Sequence, residues 1–392
     1  MRIAYFVHDL TDPAVGRRIA MLRAGGAEVV VFGFRRAETA PGEIAGARAV
    51  DLGRTHDGKF GQRLWRTALA ALSVERWRGQ LVRADVILAR NLEMLAIAQA
   101  ARVSCGLYAR LVYECLDVHR LMLDAGPKGQ AMRFVERALM RRANLLVVSS
   151  PAFLTHYFEG VQGLGRDFDL PTLLVENKVL DLDGQRPARR KPEAGPPWRI
   201  GWLGAIRCQK SLDVLCKLAA ERPDLVEVRI AGRPARGEFR DFDGQIGAAR
   251  GVSFSGAYTA ADLPDLYGEV HFAWAIDFME AGLNSDWLLP NRVYEAPRHG
   301  AVPIALSGVE TGRCLAQRGF GLPLDDLDDL EGVLEGMTPA VYASLRGQVE
   351  AQPDRAFAVG RADCRDLVRR LAGGLIPQAA EADAAPSARL VA

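Results

Sequence analysis

Residues 198–210, WRIGWLGAIRCQK, decide the fold. Residues 198–203 form an apolar run without strict alternation, the pattern of a strand covered on both faces. Gly204 ends the run, Arg207 and Lys210 follow it, and a helix is expected from about Ser211. A buried strand, a glycine, two cations and a helix start describe a parallel α/β sheet with an anion site at a strand end. A guanidinium and an ammonium neutralise two phosphates, and a helix N-terminus adds about half a positive charge. Gly204, Arg207 and Lys210 are therefore candidate diphosphate ligands. The same spacing also describes a solvated basic turn.

Downstream, residues 226–231, 252–255, 271–276 and 301–306 read as further strands with helices between them. Upstream, residues 184–197 (GQRPARRKPEAGPP) break the pattern with Pro and Gly, as a linker does. Before the linker, strands are expected at 2–7, 28–34, 48–52, 85–89, 111–115, 145–149 and 172–175, with a long helix over about 61–82. The organisation read from this is a first α/β domain over 1–183, the linker 184–197 and a second α/β domain over 198–350. A helix in 351–377 is expected to pack back toward the first domain, and the Ala-rich tail 378–392 is aperiodic and expected to be disordered.

A length of 392 residues suits two such domains. No stretch reaches 18 consecutive apolar residues, so no transmembrane helix is expected. The apolar run of the N-terminus MRIAYFVHDL is too short for a signal peptide, so a cytoplasmic location is expected. Six cysteines without a CxxC pair read as reduced thiols. The net charge of +2 argues against a general nucleic-acid binder. That balance hides an asymmetry. Residues 1–185 hold 25 Lys and Arg against 20 Asp and Glu, and the remainder holds 25 against 28. The excess gathers at 54–83, where Arg54, Lys59, Arg63, Arg66, Arg76, Arg78 and Arg83 face only Asp57 and Glu75, with Trp65 and Trp77 among them. Such a stretch docks on anionic lipid, or is a solvated amphipathic helix of the first domain.

No GxGxxG follows a strand and no GxxxxGK[ST] occurs, which argues against a dinucleotide dehydrogenase and a P-loop enzyme. Residues 282–295, GLNSDWLLPNRVYE, run from a polar loop into a helix opened by Pro290. Asn284, Ser285 and Asp286 lie in the loop, and Asn291, Tyr294 and Glu295 share the i, i+3, i+4 face. A carboxylate at 295 accepts two hydrogen bonds from a ribose diol, or is a helix-surface Glu.

These segments together resemble the GT-B glycosyltransferases of the large retaining family 4. Gly204, Arg207 and Lys210 resemble that family's diphosphate-binding group. Ile230-Ala231-Gly232, Phe254-Ser255-Gly256, Leu263-Pro264-Asp265-Leu266-Tyr267, and Tyr294-Glu295-Ala296 with Gly300-Ala301-Val302-Pro303-Ile304 resemble its other landmarks. HDLTDPAVGRRIAMLRAGG, ARNLEML, YECLDVHRLM and LLVENKV further resemble glucosyltransferases of succinoglycan-type exopolysaccharide assembly. The resemblance implies two Rossmann-like parallel-sheet domains facing across a cleft. It also implies transfer of a hexose, glucose from UDP-glucose, to a polyprenyl-diphosphate-linked acceptor with retention, needing no cofactor or metal. Asp117 and His119, after strand 111–115, are then the candidates at the reacting sugar, and Asp9 and Asn91 those on the acceptor side. One departure stands out. The family's two glutamates are eight residues apart; Glu295 fits the second, but position 287 is Trp. Two rivals share the architecture: a sugar-nucleotide 2-epimerase, and a catalytically silent nucleotide-binding subunit of a polysaccharide assembly complex. Asp325, Asp326, Asp328 and Asp329 read as N-capping carboxylates rather than metal ligands.

Overall fold

A computed structural model describes residues 1–55, 60–187, 189 and 192–374, the side chains of 60–64 excepted. The expected tail 378–392, residues 375–377, linker residues Ala188, Arg190 and Lys191, and Asp57, Lys59 and the Arg63 side chain lie outside that description. The described residues divide into two compact units: those of 1–88, 97–112 and 361–374 form the first, and those of 89–96 and 113–360 the second.

The first unit contains β1 (Arg2–Val7), β2 (Glu28–Arg35), β3 (Glu43–Ile44) and β4 (Ala47–Arg54). It also holds the first parts of β5 (Val86–Arg90) and β6 (Arg110–Cys115). The strand order is β3-β4-β2-β1-β5-β6. β1 and β2 pair in parallel, and the rings of Phe6 and Phe32 stack at 4.9 Å between centroids. Both faces are covered, so the buried stretches 3–7 and 29–34 are apolar. Helix Pro13–Ala24 opens with proline after Asp12, whose carboxylate accepts from Ala14 N–H (2.9 Å). Helix Arg361–Leu371 packs against it. The fit is close, because a Cβ added at Gly25 would stand 2.3 Å from the Cys364 carbonyl oxygen.

The expected long helix 61–82 is three pieces: Phe60–Leu72, a 3₁₀ turn at Val74–Trp77, and Arg78–Leu81. Ser73 breaks it by donating its hydroxyl to the Leu69 carbonyl (2.8 Å), which bends a helix at that turn. Trp77 then turns into the core against Phe32, whereas Trp65, 65% exposed, stays on the surface.

The second unit contains β7 (Leu145–Val148), β8 (Thr172–Leu174), β9 (Val179–Leu180), β10 (Trp198–Ile206), β11 (Val226–Pro234), β12 (Val252–Phe254), β13 (Phe272–Trp274), β14 (Val302–Leu306), β15 (Leu322–Leu324) and β16 (Ala358–Val359). Six of them form a parallel sheet of order β12-β11-β10-β13-β14-β15. The order reverses between β10 and β13, and open α/β sheets bind ligands beyond the strand ends at such a reversal. Trp198, Trp202 and Trp274 are fully buried in its core.

β10 extends to Ile206, three residues past its expected end, because β11 accompanies it as far as Pro234. Gly204 pairs with Gly232 across this ladder. Gly232 has φ +145°, and a Cβ there would lie 1.9 Å from the Gly204 carbonyl oxygen, so only glycine fits. The helix after β10 starts at Gln209, capped by the Cys208 thiol, which accepts from Ser211 N–H (3.4 Å). β9 and β16 pair in two residues each, too short a run to show a sequence period.

Candidate functional site

A cavity of about 320 Å³ opens in the second unit, lined by Arg207 after β10 and Asp277 after β13. It lies where the strand order reverses. Gly204, at φ +110°, borders it without crowding; a Cβ there would meet nothing nearer than the Tyr258 hydroxyl at 3.8 Å.

One side of the cavity is cationic. The Nε and Nη2 of Arg207 both reach Asp277 Oδ2, at 3.0 and 2.9 Å. Burial pulls the Arg207 pKa down, but the carboxylates of Asp277 first, then Asp117 and Glu280, together raise it above the ordinary value. Arg292, buried on the same lining, donates Nη1 to the Leu203 carbonyl (3.2 Å). Lys210 is exposed on the first turn of its helix, with Nζ 4.3 Å from the centre of the Phe278 ring. It does not line the cavity.

Glu295 lines the other side. Tyr267 donates to its Oε2 (3.4 Å). Burial, then the charge of Glu295, pushes the nearby Tyr258 hydroxyl up to about 12. His299, one turn further on, stacks on Tyr267 at 5.7 Å between centroids. Burial, then Arg298 and Arg189, pulls its pKa to about 4, so the ring is neutral at pH 7. Glu295 thus presents a carboxylate to the cavity, suited to accepting from hydroxyls.

Asn284 ties two loops together. Its Nδ2 donates to Asp117 Oδ1 (2.6 Å), and its Oδ1 accepts from Val118 N–H (3.2 Å). It also hydrogen-bonds Glu280, whose pKa is raised by burial and then by the Asp117 charge, with Arg207 opposing. Asp117 lines the cavity.

The remaining expected residues are placed as follows. Asn291 lines the cavity at the start of helix Arg292–Arg298. Tyr294 does not; its hydroxyl donates to Glu176 Oε1 (2.9 Å) within the core. At about 100° per residue Arg292 and Glu295 lie to one side of Asn291 around the helix, and Tyr294 lies about 60° to the other side, away from the face those three share. Ser285 Oγ accepts from Glu280 N–H (3.0 Å), and Asp286 Oδ2 accepts from Gly282 N–H (3.1 Å). Both organise their own loop outside the cavity lining. Trp287 is also outside it, its ring stacked on His156 at 5.5 Å between centroids and its carbonyl held by Ser150. His119 caps the turn Arg120–Leu123, its Nδ1 accepting from Leu121 N–H (3.2 Å). Asn91, at φ +72°, accepts from Leu95 N–H (3.0 Å) at the start of helix Leu92–Ser104. Asp9 is buried in the first unit, accepting from Thr11 N–H (2.9 Å) and paired with Arg36 (3.1 Å). Asp325 accepts from Ser307 Oγ (2.7 Å), and Asp329 accepts from Asp326 N–H (3.0 Å).

Asp277, Glu280 and Arg292 were not read from the sequence. A polar residue directly after a β strand was the available signal for Asp277. Arg292 lay inside the quoted PNRVYE stretch, hidden among surface-type residues.

Comparison with known proteins places the chain in a family. Residues 12–167 match the family model described as Glycosyl transferase 4-like domain. Over 380 residues the chain is 46% identical to the "Succinoglycan biosynthesis protein ExoL" of Rhizobium meliloti (strain 1021), covering 95% of this chain and 93% of that protein. Sucrose-phosphate synthase from Thermosynechococcus elongatus superposes with a TM-score of 0.68 at 14% identity, covering 95% of this chain and 98% of that one. An α,α-trehalose-phosphate synthase (UDP-forming) from Burkholderia xenovorans gives 0.64 at 15% identity, covering 95% and 100%. At such low identity these two show a shared fold. The chain belongs to the GT-B glycosyltransferases, in the family of the succinoglycan biosynthesis protein ExoL.

Proposed function

We propose that this glycosyltransferase moves glucose from UDP-glucose to a polyprenyl-diphosphate-linked oligosaccharide in succinoglycan-type exopolysaccharide assembly, with retention and without a metal. One observation carries the donor reading: Arg207 and Glu295 line a single cavity at the strand-order reversal. The leaving diphosphate gathers negative charge as the sugar C1–O bond breaks, and Arg207, with Lys210 nearby, offsets it. Glu295 accepts from the ribose hydroxyls. Asp117, with Glu280 linked to it through Asn284, faces the positive charge that develops at the sugar.

The test is transfer of radiolabelled glucose from UDP-glucose to a membrane lipid extract. Wild type is expected to label lipid equally with and without EDTA. Arg207→Ala and Glu295→Ala are expected to lower the rate at least about 100-fold in folded protein. Full activity in an Arg207→Ala, Lys210→Ala double variant would sink the diphosphate assignment. An inverted linkage in the product would remove the retention reading.

A surface feature supports an acceptor held at a membrane. On helix Phe60–Leu72 the exposed Trp65, Leu69 and Leu72 recur at i, i+4, i+7, beside exposed Arg66 and followed by exposed Arg76, Arg78 and Arg83. Trp77 is not part of this face. Sedimentation with phosphatidylglycerol vesicles is expected to carry the chain down. Trp65→Ser with Leu72→Ser is expected to leave it in the supernatant.

A further inference from the structure

The cavity contains a buried cation that the chain itself leaves incompletely bonded. Arg292 is 8% exposed and lines the cavity. Its one hydrogen bond goes to a neutral carbonyl, that of Leu203 at 3.2 Å, and its buried Nε has no partner. Among the described residues no carboxylate comes within salt-bridge distance of it. Other buried arginines of the same unit are treated differently. Arg90 meets Glu114 at 2.8 Å, and Arg298 meets Asp181 at 2.6 Å. A buried charge is ordinarily paired, and a buried donor left without a partner is destabilising. A site that keeps such a cost expects its counter-charge from outside.

The cations nearby do not fill that role equally. Arg207 already has Asp277 as a full-strength partner, and Lys210 stands outside the cavity lining. Helix Arg292–Arg298 places Arg292 and Glu295 one turn apart, both on the cavity. A ligand that gives its hydroxyls to Glu295 therefore brings a neighbouring anionic group within reach of Arg292.

We infer that Arg292 is a binding residue of the phosphate subsite, taking the diphosphate of the nucleotide as its missing partner. The inference rests on the donor reading above and names the group that reading left out. Within the chain Arg292 has no ion pair of its own, and the diphosphate supplies one. Removing it therefore affects phosphate affinity selectively and does not harm the unliganded fold.

The experiment compares wild type, Arg292→Met and Arg292→Lys by calorimetric titration with UDP, uridine and inorganic pyrophosphate, alongside thermal unfolding without ligand. Arg292→Met is expected to unfold at or above the wild-type temperature. It should bind UDP and pyrophosphate at least about 30-fold more weakly, with uridine affinity unchanged. Arg292→Lys, which keeps the charge without the fork, should fall between. An Arg292→Met chain that fails to fold, melts lower, loses uridine as well, or keeps UDP within about threefold of wild type overturns the inference. If wild type binds no nucleoside diphosphate, the donor reading falls instead, and the pyrophosphate titration decides Arg292 by itself.

Discussion

His299 has a folded-state pKa of about 4, below the ordinary histidine value of about 6.5. As pH falls, the unfolded chain therefore takes up this proton first. The stability tied to the neutral ring is intact above pH 6.5 and drains away as pH drops toward 4. Its ceiling is about 3 kcal/mol. Burial lowers His271 in the same direction, so the acid limb has two contributors. His299→Phe, which keeps an aromatic ring against Tyr267, is expected to lose less stability than wild type between pH 7.5 and pH 5 in urea unfolding. Identical slopes would remove His299 as a cause. At this scale some of the site was legible. Arg207 and Glu295 each stand at a strand end or helix start that announces itself locally. The Arg207–Asp277 pair was not, since its members are 70 positions apart and only the β10–β13 adjacency joins them.

The elements around the cavity owe their fit to backbone as much as to side chains. Gly232→Ala places a methyl 1.9 Å from the Gly204 carbonyl at a φ that favours glycine. It is expected to cost at least about 2 kcal/mol and to weaken nucleotide binding, because β10 and β11 must part where the cavity begins. Thermal unfolding together with UDP titration checks both effects; a loss of stability with unchanged binding would place the strain away from the site. Periodicity had ended β10 at Leu203, since nothing in GAI marks a strand until β11 is seen beside it. The loop 277–287 was harder still. Its turns are set by Ser285 and Asp286 bonding back to Glu280 and Gly282, and such short loops carry no period to read.

At the scale of the molecule, both repeating α/β patterns were legible because most strands are apolar runs separated by helices. Less legible was how the chain apportions itself. The contiguous blocks 1–183 and 198–350 follow the linker composition. The compact units are instead assembled from separated stretches, the first from three of them. Ending the chain after Gly360 removes the helix that packs on Pro13–Ala24 and strips the cover that Cys364 and Val368 give at Gly25. That truncation is expected to lower the melting temperature by at least about 5 °C or to render the protein insoluble. Gly25→Ala, which drives a methyl into Cys364, is expected to give a milder version of the same loss.

The same arrangement sets an order in time. A ribosome releases the segment 13–24 early, but its packing partner 361–371 emerges only after some 340 more residues, on the order of tens of seconds later. Through that interval the nascent first unit lacks one of its walls, and the face of helix Pro13–Ala24 at Gly25 stays uncovered until helix Arg361–Leu371 arrives.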